Sequence, residues 1–147
     1  MSVYVSLDLN LQDQVSGKTA IITGGANGIG AATAALYNRH GANVVIADLP
    51  SSQVSAGALI KTLAWPERSL FVPVDILDWT QMKRIFKQTV ERFGHIDVVV
   101  ANAGIMESSP VLDLEGVDSN GDLHESKEAF KVLDVNIKGT FNSKSKL

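Results

Sequence analysis

No cysteine occurs among the 147 residues, only four prolines and two tyrosines do, and neither sign of charge dominates. The first absence excludes a disulfide-stapled secreted module, a thiolate nucleophile and zinc held by cysteine. Thirteen basic against sixteen acidic side chains, a net charge of −3, leave no electrostatic footprint for nucleic acid or an anionic membrane. Long apolar runs are lacking too, since the stretch around Val98–Ala101 falls far short of the roughly 20 residues that span a bilayer. Met1 to Asp13 has neither a basic start nor a continuous apolar core and does not read as a signal peptide. What is present suits one globular domain. With 45% hydrophobic and 20% charged residues, such a chain can bury about 70% of its unfolded-state surface.

Hydrophobic periodicity changes type along the chain. Ala20-Ile21-Ile22, Val44-Val45-Ile46-Ala47, Leu70 to Val74 and Ile96 to Ala101 are short apolar runs that read as buried strands. Pro73 suits an edge position for the third of them. Between them lie helical patterns. Gly28 to His40 carries Ile29, Ala32, Leu36 and His40 at helical spacing and closes on Gly41. Ser51 or Ser52 is positioned to cap a helix to about Leu63, ended before Pro66. Asp78 caps a helix with the stripe Trp79, Met82, Ile85, Phe86 and Phe93, in which Trp79 and Phe86 read as core. After a polar loop, Glu107 to Gly121, a last helix from about Glu125 to Asn142 presents Phe130, Leu133, Ile137 and Phe141. The βαβαβαβα alternation predicts an α/β fold: a doubly wound, Rossmann-type parallel sheet of about four strands and four helices. The expected division is an N-terminal arm (1–16), a nucleotide-binding domain (17–142) and a short tail (143–147).

The turn after the first strand reads Thr23-Gly24-Gly25-Ala26-Asn27-Gly28-Ile29-Gly30. A strand feeding a glycine-rich turn and then a helix offers phosphate free backbone N–H groups and the positive end of a helix dipole. A Cβ on the glycines would obstruct the turn and the approach of a pyrophosphate. The second strand ends on Asp48, about twenty residues further on, where a carboxylate can accept from both hydroxyls of an adenosine ribose. It would repel a 2′-phosphate, and no arginine follows in Leu49-Pro50-Ser51, so the pattern favours NAD over NADP. Asp75, after the third strand, could accept from an adenine amino group. His40, His95 and His124 share no ligand spacing, so no metal is expected. The acidic run Glu115, Asp118, Asp122, Glu125 and Glu128 reads as solvated surface.

These motifs together resemble the short-chain dehydrogenases/reductases. Thr23-Gly24 followed after three residues by Gly28-Ile29-Gly30 matches that family's TGxxxGxG spacing. Asn102-Ala103-Gly104 matches its NAG element, and Asn136-Ile137-Lys138-Gly139 its N-x-x-G pattern. The resemblance covers about Gly17 to Phe141. It implies an oxidoreductase of alcohols and ketones in which Thr23, Gly24, Asn27, Gly28, Ile29, Gly30, Asp48, Asp75, Asn102 and Gly104 hold the nicotinamide dinucleotide. By the same resemblance Asn136 would hold a water in a proton relay. Ala101 stands where the family often has a second asparagine.

A larger departure concerns the proton donor at the substrate oxygen, which the family supplies as a Tyr-x-x-x-Lys pair beyond the last helix found here. Tyr4 is followed four positions on by Asp8, and Tyr37 by Gly41. The sequence is therefore expected to hold the adenosine half of the cofactor site and to stop before the reacting half. Two functional readings follow: an oxidoreductase whose chain continues, or a non-catalytic NAD-binding remnant or interaction protein. A methyltransferase-type nucleotide fold fits poorly with Asn102-Ala103-Gly104. The valine-rich fourth strand and the last helix are expected to offer an apolar edge to a partner or second copy, leaving the fold marginal. The final Ser145-Lys146-Leu147 is the tripeptide read by the peroxisomal import receptor, so peroxisomal import is expected, with the cytoplasm as the alternative.

Overall fold

The computed structural model describes residues 14–108, 110 and 115–144; the tripeptide Ser145-Lys146-Leu147 and most of the N-terminal arm lie outside them. Four parallel strands, β1 (Thr19–Thr23), β2 (Asn43–Asp48), β3 (Ser69–Pro73) and β4 (Val98–Val100), form one sheet in the order β3-β2-β1-β4. The register aligns Ile21 with Val45 and Val99, and Ile22 with Ile46 and Val100. Pro73, which has no N–H to donate, does fall on an edge strand.

The helices are α1 (Gly28–Arg39), α2 (Gln53–Thr62), α3 (Trp79–Phe93), α4 (Lys127–Leu133) and α5 (Gly139–Asn142), the last two joined by a π-helical segment, Asp134–Lys138. Successive strand side chains point to opposite faces, and both faces are covered. On one, Ile21, Val45 and Val72 pack with Met82 and Ile85 of α3. On the other, Ile22, Val44 and Ile46 pack with Ala34 of α1 and Ala56 of α2. Each fully buried aliphatic side chain contributes about 1.5–3 kcal/mol, whereas an exposed i,i+4 pair such as Lys87–Glu91 contributes about 0.3–0.5 kcal/mol. The two-faced apolar core is therefore what holds the sheet.

Several local expectations are corrected. In α1 the inward face is Gly30, Ala34 and Asn38, not Ile29, Ala32, Leu36 and His40; Ile29 is 79% exposed. The helix lies so close to the sheet that its inner face takes small residues. Asn38 is buried and holds the approach to β3: its Nδ2 donates to the Trp65 carbonyl at 2.8 Å, and its Oδ1 accepts from Trp65 N–H at 2.9 Å. Trp79 is 51% exposed rather than core, because it is the first residue of α3 and lies outside the Met82–Ile85–Thr89 face. Phe86 does pack against the core, half-buried. Asp78 caps α3 as expected, accepting from Thr80 and Gln81 N–H. Ser52 occupies the capping position of α2 but makes no capping bond. The fourth strand is shorter than the Ile96–Ala101 run, and the last helix starts at Lys127 and contains a π-turn. Of residues 14–16, Val15 is buried and its carbonyl accepts from Lys18 N–H.

At the N-terminal end of the sheet, Asp97 ties β4 to β1. It accepts from Thr19 N–H at 2.8 Å and from Lys18 Nζ at 3.1 Å, with His95 Nε2 at 3.1 Å. Burial pushes its pKa up, but the Thr19 amide and the Lys18 ammonium outweigh that and hold it below the ordinary 3.8. A lowered folded-state pKa means stability that is present above the unfolded value and lost as pH falls through the folded one. Thermal unfolding of the wild type and Asp97→Asn should therefore differ at pH 7, and the gap should close as pH drops below 3.8. A gap equally wide at pH 7 and pH 3 would contradict this.

Candidate functional site

The strands are parallel and in near register, so their C-terminal ends lie side by side. Thr23, Asp48 and the Asn102 segment are thereby gathered at one end of the sheet, where open α/β sheets bind ligands.

The glycine turn is held shut by contacts that leave no room for side chains. A Cβ on Gly30 would collide with the Gly24 carbonyl oxygen and stand 2.7 Å from Asn102 Nδ2. Gly24 has φ +63°, and a Cβ there would lie 2.9 Å from Ala103 Cα. Asn102 Nδ2 donates to the carbonyls of Thr23 (3.0 Å) and Gly24 (3.3 Å). Thr23 Oγ1 accepts from the N–H groups of Asn102 and Ala103, both at 3.1 Å, and donates to the Val100 carbonyl. Thr23 and Asn102 thus serve the shape of the turn, bridging the ends of β1 and β4. Asn27 stands at the N-cap of α1 in extended conformation; its side chain makes no capping bond, while its carbonyl accepts from Ala31 N–H. Gly28 and Ile29 are exposed at the same helix start, where backbone N–H groups lack intrahelical partners.

Asp48 is half-buried and held at three points. Its Oδ2 accepts from Ala26 N–H at 3.0 Å, across to the glycine turn. Its Oδ1 accepts from Leu49 N–H at 2.8 Å and from Ser52 Oγ at 3.0 Å. Beyond β3, Asp75 Oδ1 accepts from Leu77 N–H, while Asp75 N–H donates to Gln81 Oε1 at 2.9 Å. Gln81 Nε2 in turn reaches Asp78 Oδ2, and this bond is the largest cause of the lowered Asp78 pKa.

Gly104 and Asn136 are brought together, a Cβ on Gly104 lying 3.0 Å from Asn136 Oδ1. The Asn136 amide spends both ends on one residue, accepting from Ile105 N–H at 2.8 Å and donating to the Ile105 carbonyl at 2.9 Å. Its own carbonyl accepts from Thr140 Oγ1 at 2.7 Å, within the π-turn. The side chain thus holds the segment after Asn102-Ala103-Gly104. Ser52, Gln81, Ala26 and Ile105 were missed as residues serving this site. Signals existed for two: Ser52 lies one turn beyond Asp48 after a proline, and Asp78-x-x-Gln81 has the spacing of a capping box.

Asp118 and Glu128 of the acidic run are engaged rather than simply solvated. Asp118 Oδ1 accepts from Asn120 and Asp122 N–H in a turn closed by a Val117–Leu123 bridge, and Glu128 Oε1 accepts from both Ser108 N–H and Oγ. Among the described residues no group of three or more His, Asp or Glu side chains converges as a metal ion would require, and no helix is long and apolar enough to cross a membrane.

A family profile described as short chain dehydrogenase matches residues 18–146, nearly the whole chain. The chain belongs to this family. The short-chain dehydrogenase/reductase prx4 of Penicillium roqueforti is 38% identical over 142 residues, which are 95% of this chain and 38% of the relative. The (+)-borneol dehydrogenase 1 of Salvia officinalis is 33% identical, over 86% of this chain and 51% of its own length. Human 3-hydroxyacyl-CoA dehydrogenase type-2 is 38% identical, over 87% and 46% respectively. A crystal structure of a short chain dehydrogenase from Bacillus anthracis superposes with a TM-score of 0.67 at 26% identity, covering 86% of this chain and 48% of that one. The chain thus spans about half or less of the length of these short-chain dehydrogenases. The family works with nicotinamide dinucleotides, and the glycine cradle has the form such a pyrophosphate needs.

Proposed function

We propose that this short-chain dehydrogenase chain binds NAD in preference to NADP and contributes the adenosine half of a site for oxidoreduction between alcohols and carbonyl compounds. One observation carries the reading: the Asp48 carboxylate is anchored to the Gly24–Gly30 turn through Ala26 N–H at 3.0 Å. Phosphate-binding turn and ribose-binding acid thus form one rigid unit. Thr23, Gly24, Gly28 and Gly30 shape the pyrophosphate cradle, and Asn27 and Ile29 stand at its rim. Asn102 closes it from the end of β4, and Asp75 accepts from the adenine amino group. When bound, the dinucleotide supplies or takes up a hydride. The residues here bind and orient it, while Asn136 positions the Gly104–Ile105 segment.

No Tyr-x-x-x-Lys pair occurs in these 147 residues. The alternative reading is a chain that binds NAD without turnover. Turnover of NADH with carbonyl substrates, abolished by Asn136→Ala, would overturn the second reading.

The cofactor preference is tested by titrating NADH and NADPH against the wild type and Asp48→Ala. Hydrogen bonds to a charged group contribute about 1.5–3 kcal/mol, so Asp48→Ala should weaken NADH by roughly ten- to a hundredfold. NADPH binding should hold or improve once the like charge is gone. Equal affinity of the wild type for both dinucleotides would refute the preference.

A further inference from the structure

We propose that Ser52 is a positioning residue for the Asp48 carboxylate, and that through it Ser52 sets the preference of this site for a free adenosine ribose over a 2′-phosphorylated one. The inference rests on the proposed role of Asp48 at the ribose.

Three donors meet this carboxylate, and they differ in what they fix. Leu49 N–H belongs to the next residue and moves with Asp48's own backbone. Ala26 N–H ties Oδ2 to the glycine turn. Ser52 Oγ, at 3.0 Å from Oδ1, is the side-chain donor among them, and it comes from the next element of the fold. Together Ala26 and Ser52 pin the two oxygens from opposite partners, so the carboxylate cannot turn about its terminal bond without breaking one of them.

The chain places Ser52 there by local chemistry. Pro50 opens a 3-10 turn, Pro50–Ser52, with a φ its ring already fixes. Ser52 N–H closes that turn on the Leu49 carbonyl at 2.9 Å. A serine at a helix N-cap ordinarily turns its oxygen to the free N–H groups of the first turn. Here Ser52 holds the N-cap position of α2 without making that bond, and its hydroxyl donates back to Asp48. With φ −86° and ψ 7°, Ser52 continues the 3-10 turn instead of taking the extended form of a capping serine, which leaves its hydroxyl for Asp48.

The donor and acceptor count agrees. A carboxylate has about four acceptor sites, of which three are taken. One acceptor site of Asp48 is therefore left for a ribose hydroxyl, and Ser52 acts only by holding the carboxylate that offers it. A 2′-phosphate brings acceptors where it would need donors, and the Ser52 hydrogen is already committed to Asp48.

The test is equilibrium titration of the full chain with NADH and with NADPH, using Ser52→Ala, Ser52→Thr, Asp48→Ala and the double variant Asp48→Ala/Ser52→Ala. Ser52→Ala should weaken NADH about three- to tenfold and leave NADPH within about twofold. Ser52→Thr, which keeps the hydroxyl, should restore NADH binding. In the Asp48→Ala background Ser52→Ala should have no further effect. Unchanged or tighter NADH binding by Ser52→Ala would overturn the proposal, as would failure of threonine to restore it, or an equal loss in the absence of Asp48. If Asp48→Ala shifts the NADH-to-NADPH ratio and Ser52→Ala does not, the role of Ser52 alone fails. If Asp48→Ala leaves the ratio unchanged, or the wild type binds neither dinucleotide, the ribose assignment fails and Ser52 with it.

Discussion

Gly30→Ala is expected to weaken NADH binding on the order of a hundredfold and to destabilise the fold by about 1–3 kcal/mol. The added Cβ would meet the Gly24 carbonyl oxygen, lie 2.8 Å from Gly24 carbonyl carbon and 2.7 Å from Asn102 Nδ2. None of these is the free end of a flexible side chain. Asn102 is itself bonded to the Thr23 and Gly24 carbonyls, so it cannot step aside without opening the turn. Either α1 withdraws from β1 or the Thr23–Gly24 peptides rotate, and both move the N–H groups that would face a pyrophosphate. Gly57→Ala is the control. Gly57 lies inside α2 with no atom within 4 Å of its added Cβ, so alanine there should stabilise by about 0.5–1 kcal/mol and leave binding untouched. Fluorescence titration with NADH and urea unfolding measure both quantities. NADH binding by Gly30→Ala within a few-fold of wild type would contradict the close-packed cradle.

Asn38→Leu should cost about 1–3 kcal/mol although it preserves the size of a buried side chain. Asn38 is fully buried in α1 and satisfies both the N–H and the carbonyl of Trp65, 27 residues away. Leucine removes both bonds, which are part-buried beside a half-exposed Trp65 and contribute about 0.5–1.5 kcal/mol each. For a domain of this size the loss corresponds to a fall in Tm of up to roughly 10 °C. A change of less than about 0.5 kcal/mol in urea unfolding would show that Asn38 fills space and does not tie α1 to the chain entering β3. The same measurement separates this bond from the cofactor site, since Asn38 lies near the far end of α1 and NADH affinity of the folded fraction should be unaltered.

Residues that answer to their immediate neighbours were readable from sequence. The apolar runs of β1 and β2 are buried on both faces and show it as unbroken hydrophobic stretches. Asp78 caps α3, and Pro73 sits on an edge strand, because each obeys a rule reaching no more than a few residues. The inner face of α1 was not readable. Its buried positions are a glycine, an alanine and an asparagine, while a search for large apolar residues selects Ile29 and Leu36, which are exposed. Close approach between helix and sheet favours small side chains, and that approach is a property of the packed pair. The stripe Phe130, Leu133, Ile137 and Phe141 was legible as a stripe, yet all four are more than half exposed. Periodicity reports that a helix has an apolar face, and it does not report what lies against it.

The candidate site divides in the same way. Composition and spacing alone established the parallel α/β order, the glycine turn, the acid closing β2 and the absence of a Tyr-x-x-x-Lys pair from these residues. Each is a matter of residue type, or of local backbone demand such as a turn that admits no Cβ. The folded chain alone revealed that Asp48 is tied to Ala26, that Asn102 braces Thr23 and Gly24, that Asn136 spends its amide on Ile105, and that the Ser52 hydroxyl donates to Asp48. Most of these bonds join residues that chain order keeps far apart, and the sheet brings them together by laying its parallel strands in register. A hydrogen bond is fixed by distance and direction to within a fraction of an ångström, and such precision belongs to the packed structure rather than to the order of residues along the chain.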